Sequence, residues 1–253
     1  MARARIGTSG FSYKHWKGVF YPDRLPQRRW LEFFCEHFDT LELNNSFYRL
    51  PERSAFERWA AATPEDFTFA VKVSRYITHI RRLKDPDEPM HRMVERAEGL
   101  GRKLGPLLFQ LPPNFGKDLD RLRRLLDLRR PGMRWVFEFR NREWFDDDVL
   151  GSLRDEGAAL CVHDALEDCP VAATAGFAYL RLHGSKAHQG DYSRKELERW
   201  ASVARGWLDD GIDAYVYFNN DAYGYAVKNA KKLIELTSTS LAAAGSGRGR
   251  RGG

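Results

Sequence analysis

Cysteine is scarce in this chain. Cys35, Cys161 and Cys169 form an odd set without a C-x-x-C pair, which excludes a disulfide framework and a zinc knuckle and leaves three expected reduced thiols. No apolar run approaches the ~20 residues that span a bilayer. The opening M-A-R-A-R-I-G enters a strand-like segment without the apolar core of a secretory leader. A cytoplasmic location with no membrane partner is therefore expected. Strong charge of one sign is missing too: the formal net charge is +6, and Arg248, Arg250 and Arg251 at the Arg/Gly-rich end supply three of those charges. The body of the chain thus lacks a nucleic-acid footprint. There is no Walker A sequence, no G-x-G-x-x-G after a strand, no G-x-S-x-G elbow and no H-E-x-x-H, which removes the common nucleotide, serine-hydrolase and zincin signatures.

What remains is a globular composition, 43% hydrophobic and 30% charged over 253 residues, at the usual length of one (β/α)8 domain. Eight strand-like runs appear at 4–7, 40–44, 68–73, 107–111, 135–139, 160–162, 179–182 and 214–218. Helical spacing falls between most of them, at 28–38, 90–104, 118–128, 146–156, 193–208 and 223–236. Ser54 and Glu57 read as a capping box for a further helix, and the connection 165–176 is too short and small-residue-rich for one. Strict alternation of strand and helix predicts the α/β class, a single (β/α)8 TIM-like barrel over residues 1–237. The Arg/Gly-rich tail, 238–253, has almost nothing to bury and is expected to be disordered.

The run T-L-E-L-N-N-S-F-Y from Thr40 shows the pattern on which the functional reading rests. Leu41 and Leu43 alternate with Thr40, Glu42 and Asn44, so one face meets the helix layer and the other points into the barrel. The same parity turns Lys72 and Ser74, Gln110, Glu138 and Arg140, Cys161 and His163, Tyr179, Arg181 and His183, and Tyr215, Tyr217 and Asn219 inward. Trp135 and Phe137 take the outer, core-packed face, and Cys161 is expected as a small filler. Most of the polar members lie near the carboxyl ends of their strands, where barrels of this kind build active sites. Burying so many ionised groups is costly unless they are paired or open to a pocket.

The residue types point to an enzyme of hydrolase or isomerase type, acting on a sugar-like or phosphorylated small molecule by metal-independent acid and base chemistry. Glu42 and Glu138 are the candidate paired carboxylates, Lys72 the group that polarises an oxyanion, and His183 the fourth catalytic candidate. Asn44, Tyr48, Gln110, Arg140, Trp144, Asp164, Arg181, Tyr217 and Asn219 are the candidate substrate-binding residues. Neither a cofactor nor a metal is expected, because Lys72, Arg140 and Arg181 compete with the carboxylates for any cation site. A metal-dependent variant needs Glu138, Asp164 and a histidine to converge. A non-catalytic module holding a nucleotide or single-stranded nucleic acid with rim aromatics and the Arg/Gly tail is a further alternative. The bland alternative is a stabilising network in which Glu42 holds Lys72. The turn His183-Gly184-Ser185-Lys186 sits where barrels often take phosphate, and Asp221 reads as a helix N-cap.

Several ordered blocks carry a family resemblance: I-G-T-S-G-F with Tyr13, Trp16 and Tyr21-Pro22; E-L-N-N-S-F-Y-R-L-P; F-A-V-K-V with Thr78-His79; L-L-F-Q-L-P-P; E-F-R with Trp144; Y-L-R-L-H-G; and Y-F-N-N. Together they resemble the DUF72 (YecE-like) family, up to about Leu236. The resemblance implies a TIM-like barrel with loose kinship to sugar-isomerase and endonuclease-type barrels, and it implies no particular activity. Phe11 stands where the pattern has Trp, and Asp221 where it has Thr.

Overall fold

The computed structural model describes residues 2–246, with side chains to residue 238. The strand-like runs become β1 (Ala4–Ser9), β2 (Thr40–Leu43), β3 (Thr68–Lys72), β4 (Leu104–Gln110), β5 (Trp135–Glu138), β6 (Ala159–His163), β7 (Phe177–Leu182) and β8 (Asp213–Phe218). Each pairs in parallel with the next, and β1 closes the barrel against β8. Around them lie α1 (Trp30–Cys35), the short α2 (Asn45–Tyr48), α3 (Arg53–Ala61), α4 (Asp87–Ala97), α5 (Leu119–Leu126), α6 (Asp147–Asp155), α7 (Arg194–Asp209) and α8 (Tyr225–Ser246). The link from β6 to β7 carries no helix, as its composition implied. Among the described residues no helix is long and apolar enough to cross a membrane.

Alternation sorts the side chains into two cores. Outward residues such as Leu41, Val71, Phe109, Trp135, Phe137 and Leu180 pack against the helices. Inward residues Ala70, Leu108, Val136, Ala159, Cys161, Phe177, Tyr179, Tyr215 and Tyr217 fill the barrel floor. Gly7 leaves the room this floor needs: a Cβ there would stand 2.3 Å from the Thr40 carbonyl oxygen. Across that gap the Tyr217 hydroxyl meets Thr40 Oγ1 at 2.5 Å. The floor fills the barrel below its upper mouth.

Two local expectations are corrected. Ser54 lies inside α3 behind Glu52, and no side chain caps that helix. The capping box stands instead at Ser193 and Glu196, where each side chain meets the other's backbone N–H and starts α7. Ser193→Ala should cost about 1 kcal/mol, a midpoint drop of about 2–4 °C by calorimetry in a domain of this size. Asp221 precedes a short 3-10 turn without capping it, and its carboxylate lies 3.4 Å from His15. Helix α8 is described as far as Ser246. The rest of the expected disordered tail, 247–253, lies outside the described residues.

Candidate functional site

Arg181, on β7, is the hub of the mouth. Its Nε and Nη2 donate to Glu42 at 3.0 and 2.7 Å, and its Nη1 donates to Glu138 at 2.6 Å. Nη2 also reaches Ser9 Oγ at 2.9 Å. Ser9 donates to Glu42, Tyr179 adds a 2.6 Å bond to the same carboxylate, and Asn44 Nδ2 donates to Ser9 at 2.7 Å. Both glutamates are wholly buried and Arg181 is 1% exposed. Burial pushes Glu138 toward the neutral acid, but Arg181 and then Arg140 overcome it and hold the carboxyl well below its ordinary range. Burial pushes the Tyr179 hydroxyl up, with the Glu42 charge adding to it. Glu42 and Glu138, expected as paired carboxylates, and Arg181, expected to orient a substrate, are brought together as a closed ion-pair cluster beneath the mouth. Glu42 holds Arg181, not Lys72, because a planar guanidinium can bridge two carboxylates and an ammonium on the neighbouring strand does not reach this geometry.

Above this cluster lie the groups that solvent can reach. Lys72 Nζ sits 4.1 Å from the Phe47 ring centroid and makes neither a hydrogen bond nor an ion pair among the described residues. Burial, reinforced by Arg181, lowers its pKa to about 8. His79 packs edge-on to Phe47 as well, with ring centroids 4.9 Å apart. Burial and the neighbouring Lys72 lower its pKa to about 4. It is presented by a π-helical turn, Tyr76–Ile80, followed by positive φ angles at Arg82, Leu83 and Asp85. Irregular backbone of this kind concentrates at functional sites. The Gln110 side chain, half-buried on β4 in register with Glu138, makes no hydrogen bond among the described residues. A cleft of about 450 Å³ lined by Tyr13, Asn44, Asn45, Tyr48 and Trp59 runs off the mouth.

On the far side, Arg140 Nη2 lies 2.7 Å from His183 Nε2, and its Nε lies 2.5 Å from Glu138 Oε1. His183 Nε2 is also 3.0 Å from Glu138 Oε1, and its Nδ1 is 3.2 Å from Asn219 Nδ2. Burial lowers the His183 pKa to about 3, against the pull of Glu138, so the ring is neutral. Asp164 accepts from the His183 backbone N–H at 2.8 Å and from the Tyr192 hydroxyl, so both of its carboxylate oxygens are engaged. Glu138, His163 and His183 converge instead, with ligand-type atoms all within 4.8 Å of one another.

Three further expectations fail for the same reason, that an aromatic or hydroxyl near a strand end can be claimed from below. Trp144 is wholly buried, stacks on Phe139 and donates its Nε1–H to the Phe115 carbonyl at 2.8 Å. Tyr217 belongs to the barrel floor. The turn after β7 is not an anion site: Ser185 donates to the Glu196 carboxylate at 2.6 Å, and the Gly184 N–H is taken by Tyr192. Tyr48 does lie on the rim, 73% exposed.

Residues 5–249 match the family model described as "Protein of unknown function DUF72". The chain belongs to the DUF72 family. It is 27% identical over 252 residues to the UPF0759 protein YunF of Bacillus subtilis (strain 168), an alignment covering 85% of this chain and 89% of that one. A crystal structure of a DUF72 family protein from Thermotoga maritima superposes with a TM-score of 0.84 at 28% identity, over 93% of this chain and 99% of that one. D-psicose 3-epimerase, solved in the presence of D-fructose, superposes at 0.56 with 11% identity, over 95% and 98% of the two chains, and so shares the barrel fold.

Sequence reasoning left four contributors to this DUF72 site without roles. Ser9 was hidden because β1 runs two residues beyond the visible Ala4–Gly7 pattern. Tyr179 looked like floor and is, but its hydroxyl reaches Glu42. His79 had no partner in sequence, since Phe47 reaches it from another strand's loop. His163 was placed inward by parity, but its single free ring nitrogen is visible only in three dimensions.

Proposed function

We propose that this DUF72 barrel is an enzyme of isomerase type that moves a proton on a small polyhydroxylated anion, such as a sugar phosphate or sugar acid, held at the mouth. Lys72 carries the reading: a half-buried amine with no hydrogen-bond partner among the described residues, poised near neutral pH, at the carboxyl end of a barrel strand. A base is most effective when its pKa lies near the working pH. The hydrolase branch loses support because the two carboxylates it needs are buried against Arg181. Arg140 supplies the charge for an anionic group, and Asn44, Gln110 and Asn219 supply donors and acceptors for hydroxyls.

The test is competitive acylation at pH 7 with an amine-selective reagent, read by peptide mass spectrometry. About one in ten molecules of an amine with pKa 8 is unprotonated at that pH, roughly 300 times the fraction for an ordinary lysine. Lys72 should be modified at least about tenfold faster than exposed Lys186, and a panel of sugar phosphates and sugar acids should contain members that protect it. Equal reactivity together with no protection would sink the reading.

A second reading has its own observation. Val19, Tyr48, Tyr76, Ile80 and Tyr223, between 47% and 76% exposed, all stand in the connections that follow β1, β2, β3 and β8, at the mouth end of the barrel. Exposed tyrosines beside arginines suit stacking of single-stranded bases. That reading predicts oligonucleotide binding that weakens steeply with salt and survives Lys72→Met.

A further inference from the structure

We propose that Glu138, His163 and His183 form a binding site for a divalent first-row transition metal ion, with Arg140 as the cation that stands in the site until the metal displaces it. This departs from the expectation of a metal-free mouth, and it stands independently of the proton-transfer reading.

The argument begins with His163. Its Nε2 lies 2.8 Å from the Phe139 carbonyl oxygen, which can accept but not donate, so Nε2 carries the hydrogen and Nδ1 carries a lone pair. That Nδ1 is buried and has no hydrogen-bond partner among the described residues, in a side chain 2% exposed. A buried acceptor without a partner is costly. His163 stands beside Glu138 and His183, and one ligand-type atom from each of the three lies within 4.8 Å of the others. Donor atoms on one tetrahedral zinc ion are about 3.4 Å apart, from bonds of about 2.1 Å, so modest side-chain rotations complete the set.

The surroundings are those of metal-ligating histidines, which typically give the second ring N–H to a carbonyl or another acceptor that fixes tautomer and orientation. His163 gives its own to Phe139. His183 Nε2 lies 2.7 Å from Arg140 Nη2, which can only donate, so Nε2 carries the lone pair and Nδ1 the hydrogen; the Asn219 amide, whose Nδ2 is drawn 3.2 Å from Nδ1, then turns its oxygen toward it. Two imidazoles and one carboxylate suit zinc, cobalt, manganese or ferrous iron and leave coordination positions for water or a ligand oxygen.

Arg140 completes the case. Its guanidinium approaches both Glu138 Oε1 and His183 Nε2, where a metal ion would bind them, yet its Nε has no hydrogen bond of acceptable geometry. The side chain is 20% exposed at the rim, so it has a way out. Displaced, it would be free to take the anionic group of a substrate.

The experiment is a Co(II) titration of the full chain after EDTA stripping, followed by visible ligand-field absorption, with Zn(II) as competitor. One equivalent should bind and be displaced by zinc. Arg140→Ala, which removes the competing cation, should bind about tenfold more tightly. His163→Phe should weaken binding by at least about 100-fold, the upper end of what loss of a mere supporting residue costs, with circular dichroism confirming the fold. Should His163→Phe not fold, His183→Gln at the partly exposed ligand is read in its place, with the same expected loss. Absence of stoichiometric binding in both the wild type and Arg140→Ala overturns the proposal. So does wild-type affinity in the ligand variant.

Discussion

Arg181→Ala should lower stability by about 3–5 kcal/mol, because it leaves two wholly buried carboxylates without their shared cation. In a domain of this size that is a midpoint drop of about 6–20 °C. Arg181→Lys should recover little of it: a lysine keeps the charge, but one ammonium cannot reproduce a fork that meets Glu42 through two nitrogens, Glu138 through a third and Ser9 besides. Glu42→Gln and Glu138→Gln combined with Arg181→Met should be less destabilised than Arg181→Ala, since no unpaired charge remains. A calorimetric midpoint for Arg181→Ala within about 2 °C of the wild type would refute the cluster's structural role.

The consequence for function is a division of labour across one layer of the barrel. The ion-pair cluster fixes the positions of Glu42, Glu138 and Tyr179 below the mouth. Directly above, the Lys72 amine and the Gln110 amide have no hydrogen-bond partner among the described residues, and Arg140 Nε has none of acceptable geometry. A stable scaffold with unsatisfied groups on its upper surface is what a binding site on rigid elements requires.

The barrel was legible because its cause is local. Alternation along each strand separates Leu41 from Glu42 and Phe137 from Glu138, and the inward parity it implied holds for the floor residues Cys161, Tyr179 and Tyr217. Depth was not legible, because parity says which way a side chain points and not how far it lies below solvent. Trp144 and Tyr48 both follow strand ends, yet one is wholly buried under loops and the other stands in solvent. Pairing was obscured for a related reason. Glu42 could have met a lysine on the adjacent strand or an arginine across the barrel, and the length and planarity of Arg181 decided for the latter.

Lys72→Met should raise stability at neutral pH while removing the proposed base. The lysine's folded pKa of about 8, against 10.5 for the unconstrained side chain, means that the folded state binds its proton less readily than the unfolded chain. The native state therefore carries a penalty at pH values below about 8, of order 3 kcal/mol at most. That penalty is relieved as the pH rises from about 8 to 10.5, where the unfolded chain still holds the proton that the folded protein has released. Methionine keeps the apolar stem against Phe47 and forfeits the cation–π contact, worth about 0.5–2 kcal/mol. The net gain should be about 1–2 kcal/mol at pH 7, a midpoint rise of about 2–8 °C, shrinking toward zero or reversing by pH 10. Calorimetry of both proteins at the two pH values, beside the sugar-phosphate panel, checks it. A variant that is more stable and no longer binds the protecting ligands is the signature of a residue kept for function at the expense of stability. A variant destabilised at pH 7 would instead make Lys72 a structural ammonium and remove it from the site.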